Sequence, residues 1–428
     1  MRTPRTPQTA CATIAVALLV AGCSRSDYAT NANAPARSTS DSGEGKLVMW
    51  YVGDKADKDL ESLAKEFEQQ NPGVTVRITT VPWDAAHEKL ITAIADGNTP
   101  DLSLVDSGWM TELAATNGLR ATPASIRPWM FFPGSWDTTT YKNTSYGVPF
   151  IAETSVIHYR TDITAKAGIK GAPARDWAGH LKDLKAIQAT AGKQNPKLRH
   201  ATQVQTGRNS WLFWLPMVWQ QGGNIYDATA RKFTFDSPAV TESLEYYSAF
   251  FKDGLSPKDE TDSGQNFPNG LIGTVQRGAA GTGGDFHLDA PAPDSKWQTM
   301  PLPKGEQAAG LATGSDLAVF KDARNPDAAW KFVRYLIDVD NIAAYADASG
   351  NLPAVAGAWY EAKQGDDPRL AAFHTQLQAT SGPPAITTWH QIADVIDSEL
   401  EKLADGKATI AQTQQALQAK ATSIGTGR

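Results

Sequence analysis

Residues 46–105 switch repeatedly between two hydrophobic periods, and that alternation restricts the fold more than any other feature of the chain. "KLVMWYV" (46–52) is a short, mostly apolar run of strand length. Leu60, Leu63, Ala64 and Phe67 then recur at the spacing that puts apolar side chains on one face of a helix, and Asn71-Pro72-Gly73 stops it. "VTVRI" (74–78) alternates as a strand, while His87, Leu90, Ile91 and Ile94 return to helical spacing up to Gly97. "PDLSLV" (100–105) is a third strand. Strand–helix–strand–helix–strand predicts an α/β fold: a mostly parallel sheet flanked by helices.

Two further helices announce their own starts. Ser237-Pro238 and Asn325-Pro326 each place a capping side chain before a first-turn proline. Val240, Leu244, Tyr247 and Phe251 follow the first; Ala329, Phe332, Val333 and Leu336 follow the second. No repeat of about 20–50 residues is visible, which argues against a solenoid or propeller. With 428 residues there is room for two cores, and the elements suit two α/β lobes better than one. The densest aromatic stretch is "RNSWLFWLPMVWQQGG" (208–223). Trp211, Trp214, Leu215, Val218 and Trp219 share one helical face, but Pro216 is expected to break or kink the helix. Regular helix should then run from about residue 213, with Trp219 in the core and Trp211 free as a flat platform. Trp214 is open to either role.

The N-terminus reads as a targeting segment and is set apart from the fold. "MRTPRTPQTA" is basic, and the apolar run "CATIAVALLVAG" spans 12 residues, against the roughly 20 that a membrane span needs. It ends in "VAGC" (20–23), which resembles the lipobox of bacterial lipoproteins, with cleavage before Cys23 and lipid on its thiol. A secreted chain with a stray cysteine is the alternative. Cys11 would leave with the signal, so the mature chain has no disulfide framework. Polar, small residues up to about 45 form a tether to a fold that starts near Lys46, on the outer face of a membrane. The formal charge of −6 becomes −8 without residues 1–22, which carry Arg2 and Arg5 and no acid. That balance gives no support to nucleic-acid binding.

Signals for catalysis are weak. No Gly-Lys pair precedes Ser or Thr as a phosphate loop requires, and no G-x-S-x-G elbow occurs. "RGAAGTGGDF" (277–286) has Phe286 where a dinucleotide fingerprint needs its last glycine, so it reads as a tight turn near a ligand. His87-Glu88 starts like a zinc-protease motif, but Ile91 replaces the second histidine. His87 therefore reads as a satisfied core histidine, and the scattered histidines show no metal-ligand spacing. Neither a cofactor nor a metal is implied. A pair of glycosidase carboxylates cannot be picked out among 46 acids.

Several stretches, in order, resemble the extracellular solute-binding proteins of bacterial ABC importers, in the maltose-binding-protein-like carbohydrate branch. They include "LESLAKEFEQQNPGVTV" (60–76), "AIADGNTPDLSLVDSGWMTELAATNGL" (93–119) and "YGVPFIAETSVIHYRTDI" (146–163). "WLPMVWQQGGNIYD" (214–227), "FDSPAVTESLEYYSAFFKDGLSP" (235–257), "RNPDAAWKFVRYLI" (324–337) and "SGNLPAV" (349–355) continue the match. The resemblance implies a periplasmic-binding-protein-like fold with a ligand cleft between its lobes. The N-terminal lobe would take residues 46–152 and 312–350, and the C-terminal lobe 153–311 and 351–428. It further implies a non-enzymatic, monomeric, lipid-anchored receptor that closes over a carbohydrate and delivers it to ABC permease subunits driven by a separate ATPase. A receptor for a peptide or polyamine, or a surface glycan hydrolase, are the competing readings.

Position by position, the family's cleft contacts carry over to Trp50, Tyr51 and Asp54 after the first strand, and to Asp106, Ser107 and Trp109 after the third. Glu153 matches a carboxylate near a crossover. Trp211 and Trp214 match the second lobe's aromatic segment, Asp285 and Phe286 follow the glycine-rich turn, Thr313 to Asp316, with Thr313 and Ser315 as contacts, opens the return segment, and Trp389 precedes the last helices. Many relatives carry Trp soon after that glycine-rich turn, where this chain has Phe286. A pyranose has apolar C–H faces and a rim of hydroxyls, which aromatic rings and carboxylates respectively suit. Bland roles compete: Asp106 could cap the following helix, Glu153 could be a surface acid, and Trp50 and Trp109 could be core.

Overall fold

The computed structural model describes residues 45–259, 263–279 and 296–427. Cys23, Asp285 and Phe286 lie outside the described residues. The predicted opening is present: β1 (Gly45–Val52), a helix (Lys58–Gln70), β2 (Val74–Val81), a helix (Trp83–Ala95) and β3 (Leu102–Asp106). β1 pairs in parallel with both β2 and β3. The first helix buries Leu60, Leu63, Ala64 and Phe67, while Asp57 caps it by accepting from the Asp59 and Leu60 N–H groups.

Downstream come a hairpin of β4 (Thr140–Tyr141) and β5 (Thr144–Ser145), then β6 (Val148–Glu153), β7 (Val156–Arg160) and β8 (His200–Gln203). A second hairpin joins β9 (Tyr226–Asp227) to β10 (Lys232–Phe233). β11 (Ile272–Arg277), β12 (Trp297–Met300), β13 (Gly310–Leu311), β14 (Thr313–Val319), β15 (Leu352–Pro353) and β16 (Thr380–Ser381) complete the strands. Two main sheets result, in the orders β15-β6-β14-β3-β1-β2 and β12-β7-β11-β8, and both are mixed rather than mostly parallel, because β14, β15 and β7 join them antiparallel. Each has its own apolar core, one containing Phe67, Phe150, Phe332 and Phe373, the other Trp214, Phe235, Tyr247 and Trp389.

The chain crosses between the sheets three times: from β6 to β7, from β12 to β14, and along residues 380–389 into the helices Trp389–Ala404 and Ile410–Ile424. The return segment expected to end at residue 350 runs further. β15 pairs with β6, and Leu370, Phe373 and Leu377 still pack in the first core. Gly314 makes the second crossing possible. Its φ is +134°, and a Cβ there would lie 2.1 Å from the Ile151 carbonyl oxygen.

The helix Trp211–Gln220 departs from expectation, because it runs through Pro216. Pro216 removes a single N–H, whereas the seven residues from Trp214 to Gln220 are all buried. That burial outweighs one missing hydrogen bond.

Candidate functional site

The site grows from the strand ends of the first sheet. β3 and β6 both run antiparallel to β14, so their C-terminal residues Asp106 and Glu153 finish on the edge where β14 begins. Asp106 is the cross-strand partner of Ser315, and Glu153 that of Thr313. Carboxyl ends of strands are where open α/β sheets bind ligands. A bulge between Ser315 and Asp316 interrupts β14 and leaves Asp316 buried beneath this edge, where it accepts a 3.3 Å hydrogen bond from Thr138.

Three carboxyl groups thus share one end of the sheet. Burial pushes Glu153 up to about 8; the Asp106 charge adds to this, and a hydrogen bond from Thr313 opposes it. Asp316 is held well above the usual carboxylate range by burial and then by Asp106. Asp106 is also raised by burial, against the Gly108 N–H it accepts at 2.8 Å and the charges of His390 and His87. Asp106 caps the turn Ser107–Trp109 and lies near enough to His390 of the other lobe to feel its charge.

Aromatic side chains stand on either side of these acids. From the first lobe, Trp109 packs edge-on against Trp83 at 5.8 Å and His87 at 5.3 Å between ring centroids. Trp50 is half-buried beside Trp109, with the Lys89 ammonium 4.6 Å from its ring centre. From the second lobe, Trp211 meets Trp389 edge-on at 5.1 Å. The Asp397 carboxylate positions this corner, accepting from the Asn209 N–H (2.6 Å), the Ser210 hydroxyl (3.0 Å) and the Trp211 N–H (2.8 Å). His390 of the second lobe lies 6.2 Å from His87 of the first, ring centre to ring centre. Ser107 and Gly108 share a small cavity with Trp389 and His390, so the two walls meet here.

Three residues named from sequence stand apart. Trp214 has no exposed surface and stacks on Phe235 in the second core, so it is removed from the ligand surface. Tyr51 turns to Asp57, packs against the first core, and is pushed up to about 12 by burial and by that carboxylate. Asp54 is exposed in a bend after β1. Ser107 is buried, while Thr313 and Ser315 are half-buried at the start of β14. His87 is not a core histidine: its half-exposed ring hydrogen-bonds Glu112 at 3.0 Å. Trp83, His390 and Asp397 were missed. Among the described residues, no group of three or more His, Cys, Asp or Glu could hold a metal ion.

Two α/β lobes, three crossing segments, and acids and rings converging between them define a solute receptor of the periplasmic-binding-protein type. Residues 53–343 match the bacterial extracellular solute-binding protein family, and the chain belongs to that family. It is 26% identical over 402 residues to a putative binding protein of Brucella abortus, spanning 90% of this chain and 94% of that one. To the diacetylchitobiose binding protein of Streptomyces coelicolor it is 25% identical over 323 residues, 72% of each chain. The sugar-binding protein MalE from Xanthomonas citri superposes with a TM-score of 0.81 at 27% identity, covering 89% of this chain and 97% of that one. The chain is thus a maltose-binding-protein-like ABC solute-binding protein, a family of binding proteins rather than enzymes.

Proposed function

We propose that this protein captures a mono-, di- or oligosaccharide between its lobes, closes over it by a hinge motion, and presents it to an ABC permease while tethered by lipid at Cys23. The observation that carries the reading is that Ser107 and Gly108, which follow Asp106, share a cavity with Trp389 and His390 of the other lobe, beside the Trp211–Trp389 pair. Rings cover the apolar faces of a sugar, and carboxyl groups hydrogen-bond its hydroxyls, an ionised one accepting in bonds worth about 1.5–3 kcal/mol each and a protonated Glu153 also able to donate. Asp106, Trp109, Glu153, Trp211, Thr313 and Trp389 are the proposed contacts, with Trp50, Ser107 and Ser315 at their margins. Relatives named for diacetylchitobiose, arabinooligosaccharides and maltotriose support an oligosaccharide.

A thermal-shift screen against mono-, di- and oligosaccharides tests this. A true ligand at about 100 times its Kd should add about 2.7 kcal/mol of stability. Trp211→Ala should abolish that gain while leaving the unliganded melting temperature close to wild type. A panel with no stabilising sugar, or an undiminished response in the variant, would remove the proposal.

A further inference from the structure

A second cavity, of about 1010 Å³, opens between the lobes and is lined by none of the proposed cleft contacts. Its volume matches the upper end of small-molecule pockets, about 300–1,000 Å³. Two hairpins form its sides, one from each lobe. The β4–β5 turn consists of Lys142 and Asn143, both left-handed (φ +48° and +62°), the conformation a two-residue hairpin turn requires. Tyr141 anchors this hairpin to the first lobe. In the other lobe Arg231, also left-handed at φ +51°, ends the β9–β10 loop, which Asp227 fixes by accepting from the Thr229 and Ala230 N–H groups.

The lining is cationic in a chain of net charge −6: Lys142 and Arg231 contribute to it and no Asp or Glu does. Neither cation pairs with a carboxylate among the described residues; Lys142 rests over the Tyr141 ring at 5.0 Å. Half-buried Tyr141 and Tyr226 offer ring surface, and the side chains of Asn143 and Ser381 have no hydrogen-bond partner among the described residues. Rings, amides and hydroxyls suit a saccharide, and unopposed cations suit its carboxylates.

We propose that this cavity is a second carbohydrate site, selective for an acidic, uronate-bearing oligosaccharide and separate from the cleft. Pro384 to Thr387 wall both this cavity and the small one beside Asp106 and Trp389, so the two sites are neighbours with different chemistry.

Calorimetric titration of the full chain with trigalacturonate, and with its carboxyl-reduced neutral counterpart, tests the proposal. Trigalacturonate should bind and weaken as salt rises. The double variant Lys142→Gln/Arg231→Gln should lose at least about tenfold in affinity, with an unchanged melting temperature. Trp211→Ala should leave this binding intact, which separates it from any failure of the cleft assignment. Hydrogen exchange should slow in residues 140–145 and 226–233 when trigalacturonate is present. No binding by the wild-type chain, equal affinity for the neutral counterpart, or a loss that follows Trp211→Ala instead would overturn it.

Discussion

Glu153 shows what one side chain reveals and conceals. Its place near a crossover followed from the resemblance of "YGVPFIAETSVIHYRTDI", but its proton affinity depends on Thr313 from the paired strand β14 and on Asp106 from β3 beyond it. Because burial and Asp106 raise it to about 8, the folded chain holds this proton more tightly than the unfolded chain does. Its contribution is fully present below the unfolded value, about 4.3, and is lost as pH rises through about 8. Glu153→Gln should therefore flatten the fall in stability between about pH 5 and 8 and gain on the wild type at the alkaline end. Asp106 and Asp316, raised in the same direction, should leave a residual slope. Urea unfolding across pH measures it, and parallel profiles for the two chains would assign the pH dependence elsewhere. The burial of Asp316 was illegible because alternation along β14 fails at its bulge. His390 was illegible because its neighbour His87 comes from the other lobe.

At the scale of elements, the opening strands and helices were legible because hydrophobic period and local caps agree there. The helix Trp211–Gln220 was not, because what holds its start is far away in sequence. Asp397 lies 188, 187 and 186 residues from its three partners Asn209, Ser210 and Trp211. No local signal encodes that cap, so Pro216 was the strongest mark visible. Asp397→Ala should strand those donors and cost about 2 kcal/mol, the upper range for a lost helix cap. It should also weaken sugar binding, because the Trp211 backbone loses its fixed point, whereas Asp397→Asn should retain much of both. Denaturant midpoints and near-ultraviolet circular dichroism of the two variants provide the comparison. Equal stability in Asp397→Ala would mean that packing alone holds the helix.

The two-lobed arrangement followed from resemblance to a family, since periodicity specifies sheets and helices but not which strands share a sheet. Register and crossings decide that, and they also decide which distant side chains share the cleft. A ligand that touches both walls stabilises the arrangement in which both are near, by its difference in affinity between open and closed forms. His87 and His390 report on this directly, being 6.2 Å apart across the lobes while belonging to different helices. With Cys11 and Cys23 replaced by Ser, the pair His87→Cys and His390→Cys is left as the only thiols. A short bismaleimide should join them faster when the most stabilising sugar is saturating, and not at all in either single variant. Trp389→Ala, which removes part of one wall, should reduce that acceleration without changing the rate in the absence of sugar. If sugar leaves the joining rate of the double variant unchanged, binding does not draw the lobes together, and capture must occur on a surface already formed.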